Sequence, residues 1–307
     1  MAWLRLRRAG AEPVEQPQQT PPLLAGRYRL GPHLGRGAAA TVREAIDLHT
    51  GGSLAVKLID LPADLAPSQR SEWLTRLQRE AELGRQLQHP NIVAVLDAGL
   101  DGNQAWMVME RVRGVDLGRY TEPSRLLPEP LVLNIGAGVG AALAHAHGRR
   151  IVHRDLKPAN VLVNLATGQV KLADFGVARL DDSALTRTGM TLGTPSYMAP
   201  ELLAGQAASP ASDVYALGVM LFELLAGRRP HQADTLGALL AATARQPPAS
   251  LAALRPDLPA PVVQRVEALL ARDPDARPAD LVVWCADTAA LAALLSRVLN
   301  PAAAPGL

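Results

Sequence analysis

One short segment of the sequence brings together side chains suited to phosphate chemistry. The run HRDLKPAN (residues 153–160) contains Asp155, Lys157 and Asn160, and a later run, DFG, begins at Asp174. A carboxylate can accept a proton from a hydroxyl group, an ammonium can neutralise phosphate charge, and amide or carboxylate oxygens bind hard cations such as Mg²⁺. Either run alone is equally consistent with a polar loop. Their succession predicts a Mg²⁺–phosphate site in which Asn160 and Asp174 hold the metal.

Two features earlier in the chain fit the same chemistry. The glycines of GRGAAATV (residues 35–42) lie between two predicted strands, where they let the backbone approach a phosphate closely. The run lacks the Gly-Lys-Ser/Thr of a P-loop, and a strand rather than a helix follows it, which argues against a dinucleotide-binding fold. Lys57 lies on an apolar strand, where an ammonium needs an anionic partner. Glu80 and Glu82 on the next predicted helix are candidate carboxylates.

The composition is that of a globular protein and excludes several classes. Of 307 residues, 48% are hydrophobic and 20% charged, and the formal net charge of +2 offers no basic excess for binding nucleic acid. A single cysteine, Cys285, excludes an intrachain disulfide framework and a cysteine-rich zinc site. The longest uncharged run, residues 131–148, is shorter than the ~20 residues of a membrane span and is predicted to be a buried helix. We expect no transmembrane segment and a cytoplasmic location.

Lysine is scarce in this chain. Only Lys57, Lys157 and Lys171 occur, and the remaining 28 of the 31 basic residues are arginine. Because arginine can serve as a surface charge, this bias predicts that the few lysines lie where a compact ammonium is required. Lys57 and Lys157 belong to the motifs above, whereas the sequence suggests no chemical role for Lys171.

The elements that must position these residues fall into two groups. Alternating apolar residues and turn residues predict strands over 28–34, 41–47, 53–61, 93–98 and 105–111, with one helix over 68–87. Helical patterns predict further helices over 128–147, 211–226, 235–245, 261–270 and 279–299, and a loop-rich segment over 151–201. A sheet-rich first part and a helix-rich second part predict an α+β fold with two lobes.

In order and spacing, these motifs resemble those of eukaryotic-type (Hanks-type) serine/threonine protein kinases of bacteria. The resemblance covers about residues 27–295 and implies a bilobal protein-kinase-like fold, with a small antiparallel-sheet lobe that contains one main helix and a larger helical lobe. It places the kinase domain at residues 27–296, divided at about 111/112. The Pro/Gln-rich composition before it predicts a disordered tail over 1–26, and residues 297–307 form a C-terminal tail.

The resemblance implies an ATP site between the lobes. Lys57 matches the lysine that holds the α- and β-phosphates and pairs with a helix glutamate, which is Glu80, or Glu82 if the register slips. Met109 matches the gatekeeper of the hinge. The implied nucleotide-binding residues, with Asp116 at the ribose and the backbone of Glu110 and Val112 at adenine, are Leu34, Gly35, Arg36, Gly37, Ala38, Ala39, Ala40, Thr41, Val42, Ala55, Lys57, Met109, Glu110, Val112, Asp116 and Leu162.

The resemblance also assigns the chemistry. Asp155 matches the base that orients the substrate hydroxyl, and Lys157 matches the lysine that stabilises the transferring phosphoryl group. Asn160 and Asp174 match the ligands of Mg²⁺, for which Mn²⁺ is the alternative. The implied reaction transfers the γ-phosphoryl group of Mg-ATP to serine or threonine hydroxyls of proteins.

A docking segment follows the metal ligand. The run GTPSYMAPE (residues 193–201) resembles the family's substrate-docking loop, with Glu201 expected to pair with Arg277. Asp213 is expected to brace the catalytic loop. Thr194, together with the lysine two residues past the base, is typical of serine/threonine rather than tyrosine kinases.

Activation by phosphorylation is a further implication. Arg154, interpreted as a buried arginine beside the base, needs an anion, and a phosphorylated residue of the activation loop supplies one. Thr186, Thr188 and Thr191 lie in that loop. Thr186 and Thr188 fall where related bacterial kinases autophosphorylate, so we expect autophosphorylation in trans at these two. Homodimerisation through the small lobe is implied at the family level only.

Two alternatives remain beside this interpretation. A pseudokinase-like scaffold or binding module usually lacks the strand lysine, the base or the metal aspartate, all of which are present here. A small-molecule phosphotransferase of related fold lacks the complete docking loop. Two positions depart from the family: Ala40 replaces the third glycine, and Gly84 replaces a bulkier helix residue, which predicts a less rigid helix. We expect His145 and His147 to cap or pack a helix, and Trp284 and Cys285 to lie in the core.

Overall fold

The computed structural model describes residues 23–37, 40–62, 66–175 and 195–299, and it divides into a sheet-rich first lobe and a helical second lobe. This confirms the predicted α+β architecture. Thr186, Thr188, Thr191 and Thr194 lie outside the described residues, as do Ala38 and Ala39 and most of both predicted tails.

The small lobe is built on a six-stranded antiparallel sheet with the order β1-β2-β3-β4-β6-β5. Its strands are β1 (Leu23–Leu24), β2 (Tyr28–Arg36), β3 (Ala40–Asp47), β4 (Ser53–Asp60), β5 (Val95–Asp101) and β6 (Gln104–Glu110). Both faces of β6 are covered: Trp106 and Val108 pack with Tyr28 on one face, and Met107 and Met109 belong to a second apolar cluster on the other. This explains why β6 is a continuous apolar run rather than an alternating one.

At both ends, regular structure continues a few residues beyond the predicted domain limits of 27 and 296. Leu23 and Leu24 pair with β2 and Leu24 is buried, so the described fold begins before the predicted boundary at residue 27. The last helix extends to Leu299, past the predicted boundary at residue 296. The predicted helix over 279–299 already included this last turn, whereas a two-residue strand is too short to show in the sequence, and the domain limits themselves stay a prediction.

The single long helix of the small lobe is α1 (Pro67–Gln86), and it packs against the sheet through Leu77 and Ala81. At Gly84 the helix lies so close to β5 that an added Cβ atom would be 2.6 Å from Val95 Cγ2. Glycine therefore marks a point of close contact between helix and strand rather than a gap in the packing.

The large lobe is arranged around one buried helix. Its helices are α2 (Glu129–His147), α3 (Pro200–Leu203), α4 (Pro210–Ala226), α5 (Leu236–Arg245), α6 (Leu251–Leu254), α7 (Ala260–Leu269) and α8 (Leu281–Leu299). Every residue of α4 from Ser212 to Leu225 is buried. The helix stops at Gly227, whose φ of +69° is a left-handed conformation that glycine adopts without strain. Since α4 is enclosed on all sides, its first turn is a rigid support for neighbouring loops.

A small sheet was not predicted. Strands β7 (Val115–Asp116), β8 (Val161–Asn164) and β9 (Gln169–Leu172) form it, the last two within the segment expected to be loop-rich. Strands of two to four residues are too short to show a period in the sequence. The sheet also joins the lobes, because Val93 N donates to Leu172 O at 2.9 Å.

Helix α8 bears on the membrane prediction. By length and composition its residues Leu281–Val298 could cross a bilayer. The sequence prediction considered only uncharged runs and therefore did not identify this segment. In the structure one face of α8 packs along α2, with Trp284 and Cys285 in the core as predicted. At Gly140 of α2 the two helices approach so closely that a Cβ atom would lie 2.5 Å from the Cys285 sulfur.

Candidate active site

A cleft of about 560 Å³ opens between the two lobes. It is lined by eleven of the residues that the sequence analysis assigned to nucleotide or metal, namely Leu34, Gly35, Val42, Ala55, Lys57, Met109, Glu110, Val112, Asp116, Leu162 and Asp174. The sheet register explains this convergence, because Val42 lies opposite Lys57, and Ala55 opposite Met109, on adjacent strands. The cleft therefore has an apolar roof with one ammonium, and Leu162 contributes to the opposing wall from β8.

The remaining residues assigned to the glycine run lie farther out. Arg36 and Gly37 are exposed at the tip of the β2–β3 hairpin, where Gly37 N donates to Ala40 O at 2.8 Å. Ala40 and Thr41 follow at the start of β3, and none of these four lines the cleft.

The cleft also includes residues that sequence reasoning did not single out: Val93, Arg111, Arg113, Gly114, Val115, Arg119, Ala159 and Ala173. Most of them follow the hinge or flank an assigned residue. Their position next to a predicted motif was the only sequence feature that could have placed them in the cleft, because an apolar or basic side chain does not by itself indicate a nucleotide-binding residue.

The end of the cleft where the sequence predicts the phosphates holds an ion pair. Lys57 Nζ lies 2.8 Å from Asp174 Oδ1, with side chains 14% and 27% exposed. Glu80 lies on α1, but its side chain is outside the described part of the structure, so its pairing with Lys57 stays a prediction. The alternative, Glu82, is exposed and lies 3.4 Å from Arg85 on its own helix. In this structure Lys57 therefore forms its ion pair with Asp174, the expected metal ligand.

Two residues of the site have left-handed backbone conformations. Arg154 has φ of +70° and Asp174 has φ of +61°. Such angles are costly for residues with a side chain and persist where the surroundings impose them. Next to Asp174, Ala173 N donates to Asn160 O at 2.8 Å, so the two predicted metal ligands are held in one hydrogen-bonded unit.

The catalytic loop arranges its polar groups around Asp155. Its Oδ2 accepts a hydrogen bond from Lys157 Nζ at 2.7 Å and one from Asn160 Nδ2 at 3.2 Å. The same Asn160 amide donates to the backbone oxygen of Asp155 at 2.8 Å. Because the amide nitrogen faces Asp155, the Oδ1 of Asn160 points away from it and is the atom left for a cation.

His153 ties this loop to the strand that carries Asp174. It is fully buried, its Nε2 lies 2.9 Å from Ala173 O, and its Nδ1 accepts from Asp155 N at 3.3 Å. A carbonyl accepts and an amide donates, so these partners place the ring proton on Nε2. The ring also packs edge-on to Phe175, with centroids 4.7 Å apart.

Asp213, at the start of α4, braces the loop from below, as expected. Its carboxylate accepts from His153 N at 2.8 Å and from Arg154 N at 2.9 Å. It also bonds His147 Nε2 at 2.8 Å, a partner that the sequence analysis missed when it assigned His147 to helix capping or packing. With the Asp213 side chain only 2% exposed, these bonds hold the loop to the buried helix α4.

Arg154 differs from the expectation. The sequence analysis interpreted it as buried, but the structure places it at the surface beside Asp155. The left-handed backbone at this position directs the side chain outward, which the sequence does not reveal. An exposed guanidinium needs no anion for its own stability, although an approaching phosphate can still reach it.

The docking segment is anchored by a buried ion pair. Glu201 and Arg277 form the predicted contact through two bonds of 2.7 and 2.8 Å, with side chains 6% and 1% exposed. Burial alone would raise the pKa of Glu201, but the bonds from Arg277 lower it below its usual value. Arg277 donates further to the backbone oxygens of Ala211, Ala271 and Arg272.

Tyr197 connects the same segment to α4. Its hydroxyl donates to Glu223, and burial raises the pKa of both groups. Tyr197, Met198 and Leu202 line a small cavity together with Asp155 and Arg154. The segment of residues 195–201 therefore lies beside Asp155, the predicted base.

Comparison with known proteins agrees with this geometry. The protein kinase domain family matches residues 28–288. Serine/threonine-protein kinase PknA of Mycobacterium tuberculosis is 40% identical over 262 residues, which cover 83% of this chain and 58% of PknA. Serine/threonine-protein kinase PrkC of Bacillus subtilis is 35% identical over 252 residues, 82% of this chain and 38% of PrkC. The chain thus spans less than two thirds of the length of these curated relatives.

Solved structures show the same fold. The crystal structure of the Mycobacterium tuberculosis PknI kinase domain is 32% identical and superposes with a TM-score of 0.66, covering 89% of this chain and 98% of that one. The crystal structure of Rad53 1–466 in complex with AMP-PNP is 27% identical, with a TM-score of 0.69 over 84% of this chain and 65% of that one.

Proposed function

Since the chain belongs to the protein kinase family, within the Hanks-type bacterial serine/threonine kinases, we propose that it transfers the γ-phosphoryl group of Mg-ATP to serine or threonine hydroxyls of proteins. The observation that carries the proposal is the arrangement around Asp155, where a carboxylate, an ammonium and an amide converge within hydrogen-bond distance. We place the enzyme in the cytoplasm, with other proteins and a second copy of itself as substrates.

Asp155 acts as the base that orients the acceptor hydroxyl. Oδ2 is already bonded to Lys157 and Asn160, which leaves Oδ1 to accept the hydroxyl hydrogen bond. Oxygen nucleophiles need little activation in phosphoryl transfer, so positioning is the main contribution of this group. As the new O–P bond forms, the bond between the γ-phosphorus and the β–γ bridging oxygen breaks and ADP leaves, while the proton of the hydroxyl passes to the Asp155 carboxylate.

The donor set fits a hard divalent cation. The amide oxygen of Asn160 and the carboxylate of Asp174 are oxygen ligands on adjacent, mutually bonded segments. When bound, Mg²⁺ neutralises phosphate charge that builds up during transfer; Mn²⁺ satisfies the same ligands. Lys57, now paired with Asp174, has the reach and the charge to hold a phosphate oxygen, and Lys157 offers a second ammonium beside the base.

Autophosphorylation of Thr186 or Thr188 is the proposed route of activation. Arg154 supports it, because its exposed guanidinium beside Asp155 is accessible to a phosphate. Two phosphate oxygens can bond one guanidinium in a bidentate arrangement.

The direct test is incubation of the purified chain with labelled ATP and Mg²⁺, followed by mass spectrometry of residues 181–194. We expect label on Thr186 or Thr188, and a decrease of at least about 100-fold in Asp155→Asn, the size of a lost general base. Asp101→Asn removes the same charge from an exposed strand end and serves as the matched control.

The outcomes separate the alternatives. Nucleotide binding without transfer in the wild type would favour a scaffold, and transfer to a small molecule but not to a protein would favour a different phosphotransferase. If the chain phosphorylates proteins and Thr186→Ala/Thr188→Ala is as active as the wild type, the proposed kinase activity stands and activation by autophosphorylation of these threonines is refuted.

A further inference from the structure

Lys171, the lysine without a role in the motifs, is buried and has two partners. It lies on β9, three residues before Asp174, and is 8% exposed. Its Nζ donates to Ile92 O at 3.1 Å and to Glu110 Oε1 at 2.5 Å. A charge that is buried away from the reacting groups is costly unless it is paired, so a specific requirement should explain its presence.

The requirement is suggested by Glu110, the last residue of β6 and part of the hinge. Its Oε1 accepts from Ala94 N at 2.9 Å as well as from Lys171, and its own N donates to Ala94 O at 3.0 Å. Glu110 lines the cleft at the point where the chain passes between the lobes. The ammonium on β9 therefore fixes the carboxylate of a hinge residue that lines the cleft.

We propose that Lys171 is a positioning residue for the nucleobase, acting through the carboxylate of Glu110 on the hinge backbone that bonds adenine. The inference rests on the proposed ATP-dependent function. A lysine suits the position because a compact ammonium can reach one backbone carbonyl and one carboxylate oxygen at once.

The effect of Lys171 runs to the hinge rather than along β9 to Asp174. The backbone of β9 has its own supports: Leu172 N donates to Asn91 O at 2.8 Å, Leu172 O accepts from Val93 N at 2.9 Å, and the strand pairs with β8. Removal of the Lys171 side chain leaves these bonds in place. Glu110, in contrast, loses its only ammonium partner among the described residues and keeps a single backbone donor.

Calorimetric titration with ATP and with adenosine tests whether Lys171 acts on nucleobase binding through Glu110. In Lys171→Met we expect both dissociation constants to rise by the same factor, about five- to tenfold, as for one lost hydrogen bond between the hinge backbone and adenine, both uncharged. The KM for ATP should rise by that factor while kcat stays within about twofold. Arg265→Met, which removes a cation paired with Asp287 far from the cleft, is the control and should change neither ligand.

Adenosine has no phosphates, so it distinguishes the hinge from the metal end. Weakening of ATP alone would show that Lys171 acts through Asp174 and would overturn the proposal, as would unchanged binding of both ligands. If Lys171→Met fails to fold, Glu110→Gln keeps the volume and should weaken both ligands equally; unchanged binding in it would equally overturn the proposal. The double variant Lys171→Met/Glu110→Gln should bind each ligand no more weakly than the weaker-binding single variant. Additive losses of affinity would contradict an action of Lys171 through Glu110.

The same titrations separate this inference from the proposed function. A wild-type chain that binds neither ATP nor adenosine contradicts both. A wild-type chain that binds both, with Lys171→Met indistinguishable from it, contradicts only the role of Lys171.

Discussion

Two ion pairs flank the catalytic loop, and they differ in burial and in the other partners of their charged groups. Arg277 and Glu201 are 1% and 6% exposed, and Arg277 also bonds three backbone carbonyls. Lys57 and Asp174 are 14% and 27% exposed, and each is the only ion-pair partner of the other among the described residues. The first pair is enclosed by protein; the second faces the cleft.

The difference indicates two separate uses of the same chemistry. A buried pair with every donor satisfied cannot exchange partners without leaving a charge unpaired in a region of low dielectric constant, so it fixes geometry. A pair at a cleft surface can exchange its partners for a phosphate and a metal ion at little cost. Exposure therefore separates the pair that holds the docking segment from the pair that ligand binding can open.

The largest expected effect follows from breaking the buried pair. Arg277→Ala leaves the Glu201 carboxylate buried without a cation, which should lower the free energy of unfolding by about 3–5 kcal/mol. Chemical denaturation followed by circular dichroism measures it. Glu201→Leu/Arg277→Met, which removes both charges, should recover most of the loss; a double variant as unstable as the single one would contradict the unpaired-charge explanation.

Breaking the pair in the cleft should have a much smaller effect on stability. Lys57→Met should change the free energy of unfolding by no more than about 1 kcal/mol, because the pair is partly exposed. Phosphoryl transfer should nevertheless fall by about 100-fold or more, since a cation at the phosphates is lost. Denaturation and labelled-ATP assays on one preparation give both values, and a loss of stability equal to that of Arg277→Ala would remove the distinction between the pairs.

The smallest expected effect concerns pH. Burial lowers the pKa of His89 and of His145, whose rings are 4.9 Å apart, and nearby Arg149 lowers both further. The unfolded chain therefore takes up protons first as the pH falls below about 6.5, so stability should decrease between pH 7 and 5.5. His231 acts in the same direction.

The ion pair of Glu201 should not contribute to that slope. Its folded pKa is lowered, so its stabilisation is present above the unfolded pKa and is lost only in stronger acid, as the pH falls through the folded value. Denaturation midpoints measured from pH 7 to 5.5 should show the same slope in Glu201→Leu/Arg277→Met, which lacks both charges, as in the wild type, and a shallower one in His89→Phe/His145→Phe. An unchanged slope in the histidine variant would contradict the assignment.

The sequence was most informative where chemistry restricts the residue type. Asp155, Lys157, Asn160 and Asp174 lie together as predicted, because transfer chemistry needs a carboxylate, an ammonium and oxygen ligands at spacings set by one loop and one strand. The roof of the cleft was partly predictable, since the strand containing Lys57 is apolar and a short turn joins β3 to β4, whereas β4 pairs with β6 across the intervening α1 and β5.

The features that sequence reasoning missed depend on contacts between distant segments of the chain. The partner of Lys171 is Glu110, 61 residues away along the chain, and the partner of His147 is Asp213, 66 residues away. No local pattern encodes such a contact. The burial assigned to Arg154 was wrong: its backbone is left-handed, and its amide is held by Asp213, 59 residues away along the chain, neither of which its own sequence reveals.

The close approach of α2 and α8 at Gly140 gives the only thiol of the chain a distinctive reactivity. Burial raises the pKa of Cys285 to about 11, so very little nucleophilic thiolate exists at neutral pH, and helix α2 lies directly against the sulfur. A thiol reagent can attack only after the two helices separate. The rate of alkylation of Cys285 under native conditions thus measures how often α2 and α8 separate, independently of ligand binding in the cleft.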